Sequence, residues 1–102
     1  MLLNNQSVLV VDDELDIVEP IKLWLQKRGL EVQGFTDPLL ALEYFKKNSN
    51  SVDIVLSHIR MSHMNGYELV KRIKKLRSEV RVVLMSALRS TRLTWRGFYL
   101  ML

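Results

Sequence analysis

The sequence predicts an α/β domain built on an open, doubly wound parallel sheet. Short runs rich in β-branched residues alternate with longer segments whose apolar residues recur at helical spacing. Strands separated by helices of about ten residues form right-handed βαβ crossovers, which place helices on both faces of a parallel sheet. With 102 residues, of which 48% are hydrophobic, the chain is long enough for one small domain with a single core.

The first predicted strand and helix lie near the amino terminus. Ser7–Val11 is a short apolar run that is typical of a strand buried on both faces. A helix follows, with apolar residues at helical spacing from Ile17 onward and Gly29 as its predicted carboxyl-terminal cap. Pro20 cannot donate a backbone hydrogen bond inside this helix, so we expect it to kink the helix or to delay its start.

The second predicted strand and helix follow directly. Glu31–Phe35 is a weaker strand pattern, and the next helix has Asp37 as its N-cap and Pro38 at its first position. Its expected buried residues are Ala41, Leu42 and Phe45.

Two further strands enclose a third helix. The strands are predicted at Asp53–Ser57 and Arg81–Ser86, and the helix at about Tyr67–Arg77. The expected inner face of this helix consists of Leu69, Val70, Ile73 and Leu76.

Polar side chains follow three of the predicted strands. In parallel α/β sheets the ligand binds beyond the carboxyl ends of the strands, a rule that selects Asp12, Asp13, His58 and Ser86. Two adjacent carboxylates form an oxygen-rich site suited to Mg²⁺. The alternative is that Asp13 caps the first helix while Asp12 is solvated.

Composition excludes several classes of protein. The chain has no cysteine, which excludes disulfides and thiolate metal sites. It has neither a long apolar run nor the features of a signal peptide, so we expect a cytoplasmic protein that does not bind membranes. The net charge of +4 is spread over the helical segments rather than concentrated, so we expect no nucleic-acid binding.

Four segments carry a family resemblance. VLVVDDE, DIVLSHIRM, MNGYEL and VVLMSA, in this order and at these spacings, resemble the receiver domain of two-component response regulators over residues 7 to 88. The resemblance implies a flavodoxin-like sheet of strand order 2-1-3-4, a signalling module rather than an enzyme, and a histidine kinase or other signalling protein as partner. It also implies Mg²⁺ ligation by Asp12, Asp13 and the backbone carbonyl of Arg60, with Ser86 as the hydroxyl that contacts the phosphoryl group. Asn65 and Gly66 match the turn into the third helix.

The sequence departs from the family pattern at two positions of one loop. His58 stands where the family has its phosphoacceptor aspartate, and Ser62 stands where a proline usually follows the methionine. Imidazole removes an oxygen ligand from a cation that prefers oxygen, so we expect weak Mg²⁺ binding at best and no phosphorylation in the usual way. We expect His58 to pair with Asp12 or Asp13 and so to neutralise the acidic pocket.

Other interpretations of His58 remain open at this point. The ring could point to solvent, or accept a phosphoryl group itself, because histidine is a competent nucleophile. It could also join Asp13 and His63 in a transition-metal site, since imidazole suits such metals. The chain would then be a small metal-binding protein, whereas without phosphorylation it could serve as a docking module.

The last residues differ in composition from the rest of the chain. We expect a receiver-like unit at 1–88 and an atypical basic and apolar tail at 89–102, which matches neither the fifth strand and its lysine nor the last helix of the family. The tail is expected to be irregular or shortly helical and to fold back over the edge of the fourth strand and the surroundings of Trp24. Apolar surface left exposed at the sheet edge and the first helix would favour self-association.

Overall fold

The structure is a computed structural model that describes residues 6–86 and the backbone of 98–101. The described elements are β1 (Ser7–Val11), α1 (Leu15–Gln26), β2 (Glu31–Phe35), α2 (Pro38–Asn48), β3 (Ile54–His58), α3 (Gly66–Leu76), β4 (Arg81–Met85) and β5 (Phe98–Met101). They form one sheet of order β2-β1-β3-β4-β5, in which β1 to β4 are parallel. The predicted doubly wound sheet with strand order 2-1-3-4 is confirmed.

Alternate residues of the central strands enter two separate cores. Leu9 and Val11 of β1 pack on the side of α2 and α3, whereas Val8 and Val10 pack on the side of α1. We call these sides the α2/α3 face and the α1 face. Since apolar side chains cover β1 on both of these faces, the strand is buried on both sides as predicted.

The ends of α1 show which helix signals were decisive. Gly29 has a φ of 88°, its N–H donates to the Gln26 carbonyl, and the Leu30 N–H donates to the Leu25 carbonyl. This is the pattern by which a left-handed glycine closes a helix, as predicted. Pro20 lies inside α1, so the expectation of a delayed start is wrong. Pro20 is on the exposed side of the helix, where water can solvate the carbonyl that loses its partner.

The start and the inner face of α2 agree with the sequence prediction. Asp37 caps the helix by accepting a hydrogen bond from the Leu39 N–H at 2.9 Å, and Pro38 occupies the first turn. The expected residues Ala41, Leu42 and Phe45 are buried.

The α3 prediction is correct except at its end. Leu69, Val70 and Ile73 are buried, but Leu76 is 46% exposed. Leu76 lies in the last turn, and the neighbouring Arg77 turns toward the α2–β3 connection instead. The Arg77 guanidinium donates to the carbonyls of Ser49 and Val52, so a charged side chain takes the inward position there.

The described part of the tail is a strand, whereas an irregular or short helical segment was expected. Phe98–Met101 pairs antiparallel with β4, with Phe98 opposite Met85 and Met101 opposite Val82. Without a neighbouring strand, the outer edge of β4 would expose unpaired N–H and C=O groups. Pairing with β5 satisfies them. The expected cover over Trp24 and the rest of the tail lie outside the described residues. No helix in the described part of the chain is long and apolar enough to cross a membrane.

Candidate functional site

The carboxyl ends of β1, β3 and β4 lie side by side. Val11 pairs with Ser57, and His58 pairs with Met85, so the residues that end or follow these strands are neighbours at one edge of the sheet. The Asp12 N–H continues the β1 ladder by donating to the Phe35 carbonyl at 3.1 Å. Asp12 therefore begins the loop from a fixed position, and His58 is the last residue of β3 rather than the first of the loop.

Asp12 is fully buried. Its Oδ1 accepts a hydrogen bond from the Glu14 N–H at 3.0 Å, whereas its Oδ2 has no hydrogen-bond partner among the described residues. Burial raises the pKa of Asp12 above the ordinary value of 3.8, because desolvation disfavours the carboxylate. The Glu14 N–H and His58 act in the opposite direction but are the weaker influences.

Asp13 points away from the start of α1. Its Oδ2 accepts hydrogen bonds from the Ser62 N–H at 3.0 Å and from the Ser62 hydroxyl at 3.2 Å. The N-cap position of α1 belongs to Glu14, and no side chain there makes a capping hydrogen bond. The alternative of Asp13 as a helix cap is therefore wrong, and this carboxylate instead ties the β1–α1 loop to the β3–α3 loop.

The His58 ring is turned into the structure, with 13% of its side chain exposed, rather than toward solvent. Its Nδ1 lies 2.7 Å from the Arg60 carbonyl oxygen and 4.0 Å from Oδ2 of Asp12. Because a carbonyl oxygen can only accept, Nδ1 carries the proton in the shorter contact. Nε2 is buried and has no hydrogen-bond partner among the described residues.

Ser86 and His63 contribute less to this arrangement. Ser86 directly follows β4 and is half-buried, with no side-chain hydrogen bond to another described residue. His63 is exposed and has a φ of 70°, and the described residues contain no group of three or more His, Cys, Asp or Glu that could hold a metal ion. The transition-metal site of His58, Asp13 and His63 is therefore not formed.

The start of α3 presses against the end of β3. Asn65 caps α3 by accepting from the Glu68 N–H at 2.9 Å, and the Gly66 N–H donates to the Ile59 carbonyl at 2.7 Å. A Cβ at Gly66 would lie 2.3 Å from the His58 carbonyl oxygen, so only glycine fits this approach. The buried Ser57 hydroxyl donates to the same oxygen at 3.0 Å.

Sequence reasoning missed two of these contacts. The strand pattern predicts Ser57 only as the end of a strand, although a polar residue after "DIVL" is a signal for a buried hydrogen bond. The departure from the family pattern at Ser62 does not by itself predict a partner for this residue. A serine in a loop offers both an N–H and a hydroxyl, which is the signal that an acceptor lies nearby.

Comparisons with known proteins agree on one family. The response regulator receiver domain family matches residues 8–98. The chain is 30% identical over 71 residues to the regulatory protein VanRc of Enterococcus gallinarum and 31% identical over 80 residues to the response regulator SaeR of Staphylococcus aureus. These matches cover 70% and 78% of this chain, but only 30% and 34% of the two relatives. The chain thus spans about a third of their length.

Solved structures give the same result. A response regulator receiver domain protein from Clostridium thermocellum superimposes with a TM-score of 0.78 and 31% identity, over 79% of this chain and 64% of that one. CheY4 of Vibrio cholerae gives a TM-score of 0.75 and 27% identity, over 84% of this chain and 72% of CheY4. The CheX–CheY–BeF3–Mg complex of Borrelia burgdorferi gives a TM-score of 0.76 and 26% identity, over 84% of this chain and 65% of the matched chain.

Proposed function

Because this chain belongs to the response regulator receiver domain family, we propose that it acts in a two-component phosphorelay without accepting a phosphoryl group in the usual way. Receiver domains are signalling modules rather than enzymes in the ordinary sense. The single observation that supports the proposal is the position of His58 at the end of β3, beside the buried Asp12. An imidazole there replaces the carboxylate nucleophile of the family.

The surroundings of His58 also argue against the ring as a phosphoryl acceptor. A nucleophilic nitrogen needs a free lone pair directed at the incoming phosphorus. Nδ1 is engaged as a donor to the Arg60 carbonyl oxygen, and Nε2 is buried. Neither nitrogen is presented to a phosphodonor, and a misplacement of about 1 Å already costs roughly 10²-fold in rate.

The oxygen atoms of the pocket fit Mg²⁺ poorly. Receiver domains typically bind Mg²⁺ at the phosphorylation site. In this chain the Arg60 carbonyl oxygen already accepts from His58, and Oδ2 of Asp13 already accepts twice from Ser62. By contrast, Oδ2 of Asp12 accepts no hydrogen bond from the described residues. We infer weak Mg²⁺ binding and attribute no step of the function to the cation.

Partners of this chain are inferred from its family. Receiver domains interact with histidine kinases and other signalling proteins. We infer the same class of partner for this chain. Self-association through α1 is supported by its exposed leucines, Leu15 and Leu23, at 58% and 57% exposure.

Intact mass spectrometry with a small phosphodonor tests the proposal. The full chain is incubated with acetyl phosphate and Mg²⁺, and we expect no stable mass gain for the wild type. His58→Asp restores a carboxylate at the end of β3 and should gain one phosphoryl group. His63→Asp, the same substitution in the exposed part of the loop, is the matched control and should gain none. A stable gain on the wild type that disappears in His58→Ala would overturn the proposal.

A further inference from the structure

Two oxygens of the pocket are filled by donors from the β3–α3 loop. The Nδ1–H of His58 lies 2.7 Å from the Arg60 carbonyl oxygen. Ser62 directs its N–H and its hydroxyl to Oδ2 of Asp13, at 3.0 Å and 3.2 Å. Carbonyl and carboxylate oxygens are the ligands that hard divalent cations prefer. Here they face hydrogen atoms that carry partial positive charge.

We propose that His58 and Ser62 together substitute for the divalent cation, so that the pocket is held closed by hydrogen bonds from within the chain. The proposal rests on the proposed function, because it assumes that His58 occupies the acceptor position of a receiver domain. Ser62 is a positioning residue in this arrangement. It holds Asp13 of the β1–α1 loop against the β3–α3 loop, a contact that a bound cation would otherwise provide.

The two side chains act on different oxygens. His58 contacts Arg60 and, at 4.0 Å, Asp12, whereas Ser62 contacts Asp13. Replacing His58 alone frees the Arg60 carbonyl but leaves Asp13 turned toward Ser62. Replacing Ser62 alone frees Asp13 but leaves the imidazole beside Asp12. A cation site of full affinity therefore requires both replacements, and their effects on Mg²⁺ affinity should be coupled.

The backbone keeps both donors in place. The Ser57 hydroxyl and the approach of Gly66 fix the His58 carbonyl, and the Gly66 N–H fixes the Ile59 carbonyl. Residues 58–62 thus leave β3 along a defined path, which brings the Ser62 N–H to Asp13. The hydrogen bond therefore belongs to the loop geometry and does not depend on the hydroxyl alone.

Mg²⁺ calorimetry and thermal unfolding of the full chain test the proposal. The variants are His58→Asp, Ser62→Pro and the double variant, each measured with MgCl₂ and with NaCl at matched ionic strength. Proline removes both donors of residue 62, because it has neither an N–H nor a hydroxyl. We expect no Mg²⁺-dependent rise in Tm for the wild type and weak binding for His58→Asp. The double variant should bind about 10-fold more tightly than His58→Asp, which is the usual scale for residues that orient metal ligands.

Controls keep the test informative if the proline variant does not fold. Ser62→Ala, placed in the His58→Asp chain, removes only the hydroxyl and should give a smaller increase in affinity. Ser78→Ala, an exposed serine outside the pocket, should give none. Unchanged Mg²⁺ affinity on altering Ser62 in the His58→Asp chain would overturn the inference, as would wild-type binding as tight as that of the double variant. The phosphodonor experiment on the wild type tests the proposed function separately, so the two failures are distinguishable.

Discussion

The two faces of the sheet differ in how completely the described residues cover them. On the α2/α3 face two helices bury large side chains fully, among them Phe45, Leu69 and Ile73. On the α1 face one described helix packs on the strands, and Ile54 and Val83 are only partly buried. The comparison indicates that stability is concentrated on the α2/α3 face, whereas the α1 face retains apolar surface.

Truncating one core residue on each face tests this comparison and has the largest expected effect. Phe45→Ala should lower the free energy of unfolding by about 3–5 kcal/mol, because a fully buried aromatic ring leaves a cavity. Ile21→Ala on the α1 face should cost about 2 kcal/mol, the lower end of its class, since partly covered neighbours can relax. Urea denaturation measures both values.

A surface substitution is the control for that pair. Leu40→Ala removes an exposed side chain of α2 and should change stability by no more than about 0.5 kcal/mol. If Ile21→Ala costs as much as Phe45→Ala, the two faces contribute equally and the comparison is wrong.

Replacing the buried Asp12, which lies at the end of the sheet where both faces meet, should change stability less than the core truncations do, and in a pH-dependent way. Burial raises its pKa in the folded chain, so the folded state holds the proton more tightly than the unfolded state. The resulting stabilisation is full below the ordinary value of 3.8 and is lost as pH rises through the raised pKa. Asp12→Asn removes this dependence, so the variant should be the more stable chain at neutral pH and lose that advantage in acid.

Thermal unfolding between about pH 3 and about pH 8 covers this range. Asp16→Asn, which changes an exposed aspartate of α1, is the control and should follow the wild-type curve. An Asp12→Asn chain that is less stable than the wild type at neutral pH would show that the contact of the carboxylate with His58 outweighs its desolvation.

The smallest expected effect on stability comes from the exposed leucines. Leu23→Glu on α1 and Leu40→Glu on α2 change side chains of 57% and 58% exposure, and each should alter stability by about 0.5 kcal/mol or less. They should differ in sedimentation at high concentration, where Leu23→Glu reduces self-association and Leu40→Glu does not. A wild type that sediments as a monomer at every concentration would contradict self-association through the exposed surface of helix α1.

Local rules predicted most of the fold. The strand patterns, strong in β1 and weaker in β2, gave both strands their observed ends, and the signals at Asp37 and Gly29 correctly marked a helix start and a helix end. These features succeed because they depend on neighbouring residues. The apolar spacing failed at Leu76, where the neighbouring Arg77 side chain turned inward to two backbone carbonyls.

The site was less predictable than the fold. The carboxyl-end rule selected Asp12, Asp13 and His58 because it needs only the order of the strands. The hydrogen bond from Ser62 to Asp13 joins residues 49 positions apart and depends on the path of two loops, which no periodicity specifies. The antiparallel β5 was missed because its segment lies in a composition that gave no alternating pattern, and the pairing is imposed by the open edge of β4.

β5 runs antiparallel to β4, so its first residue, rather than its last, lies at the end of the sheet that carries the pocket. A parallel strand beside β4 would leave the sheet at the edge that carries His58, and its last residues would project there. Since Phe98 pairs with Met85, β5 instead enters the sheet at that edge and runs away from it. Ser86 and Phe98 therefore lie at the same end of the sheet, beside the end of β3, whereas Met101 lies toward the opposite end.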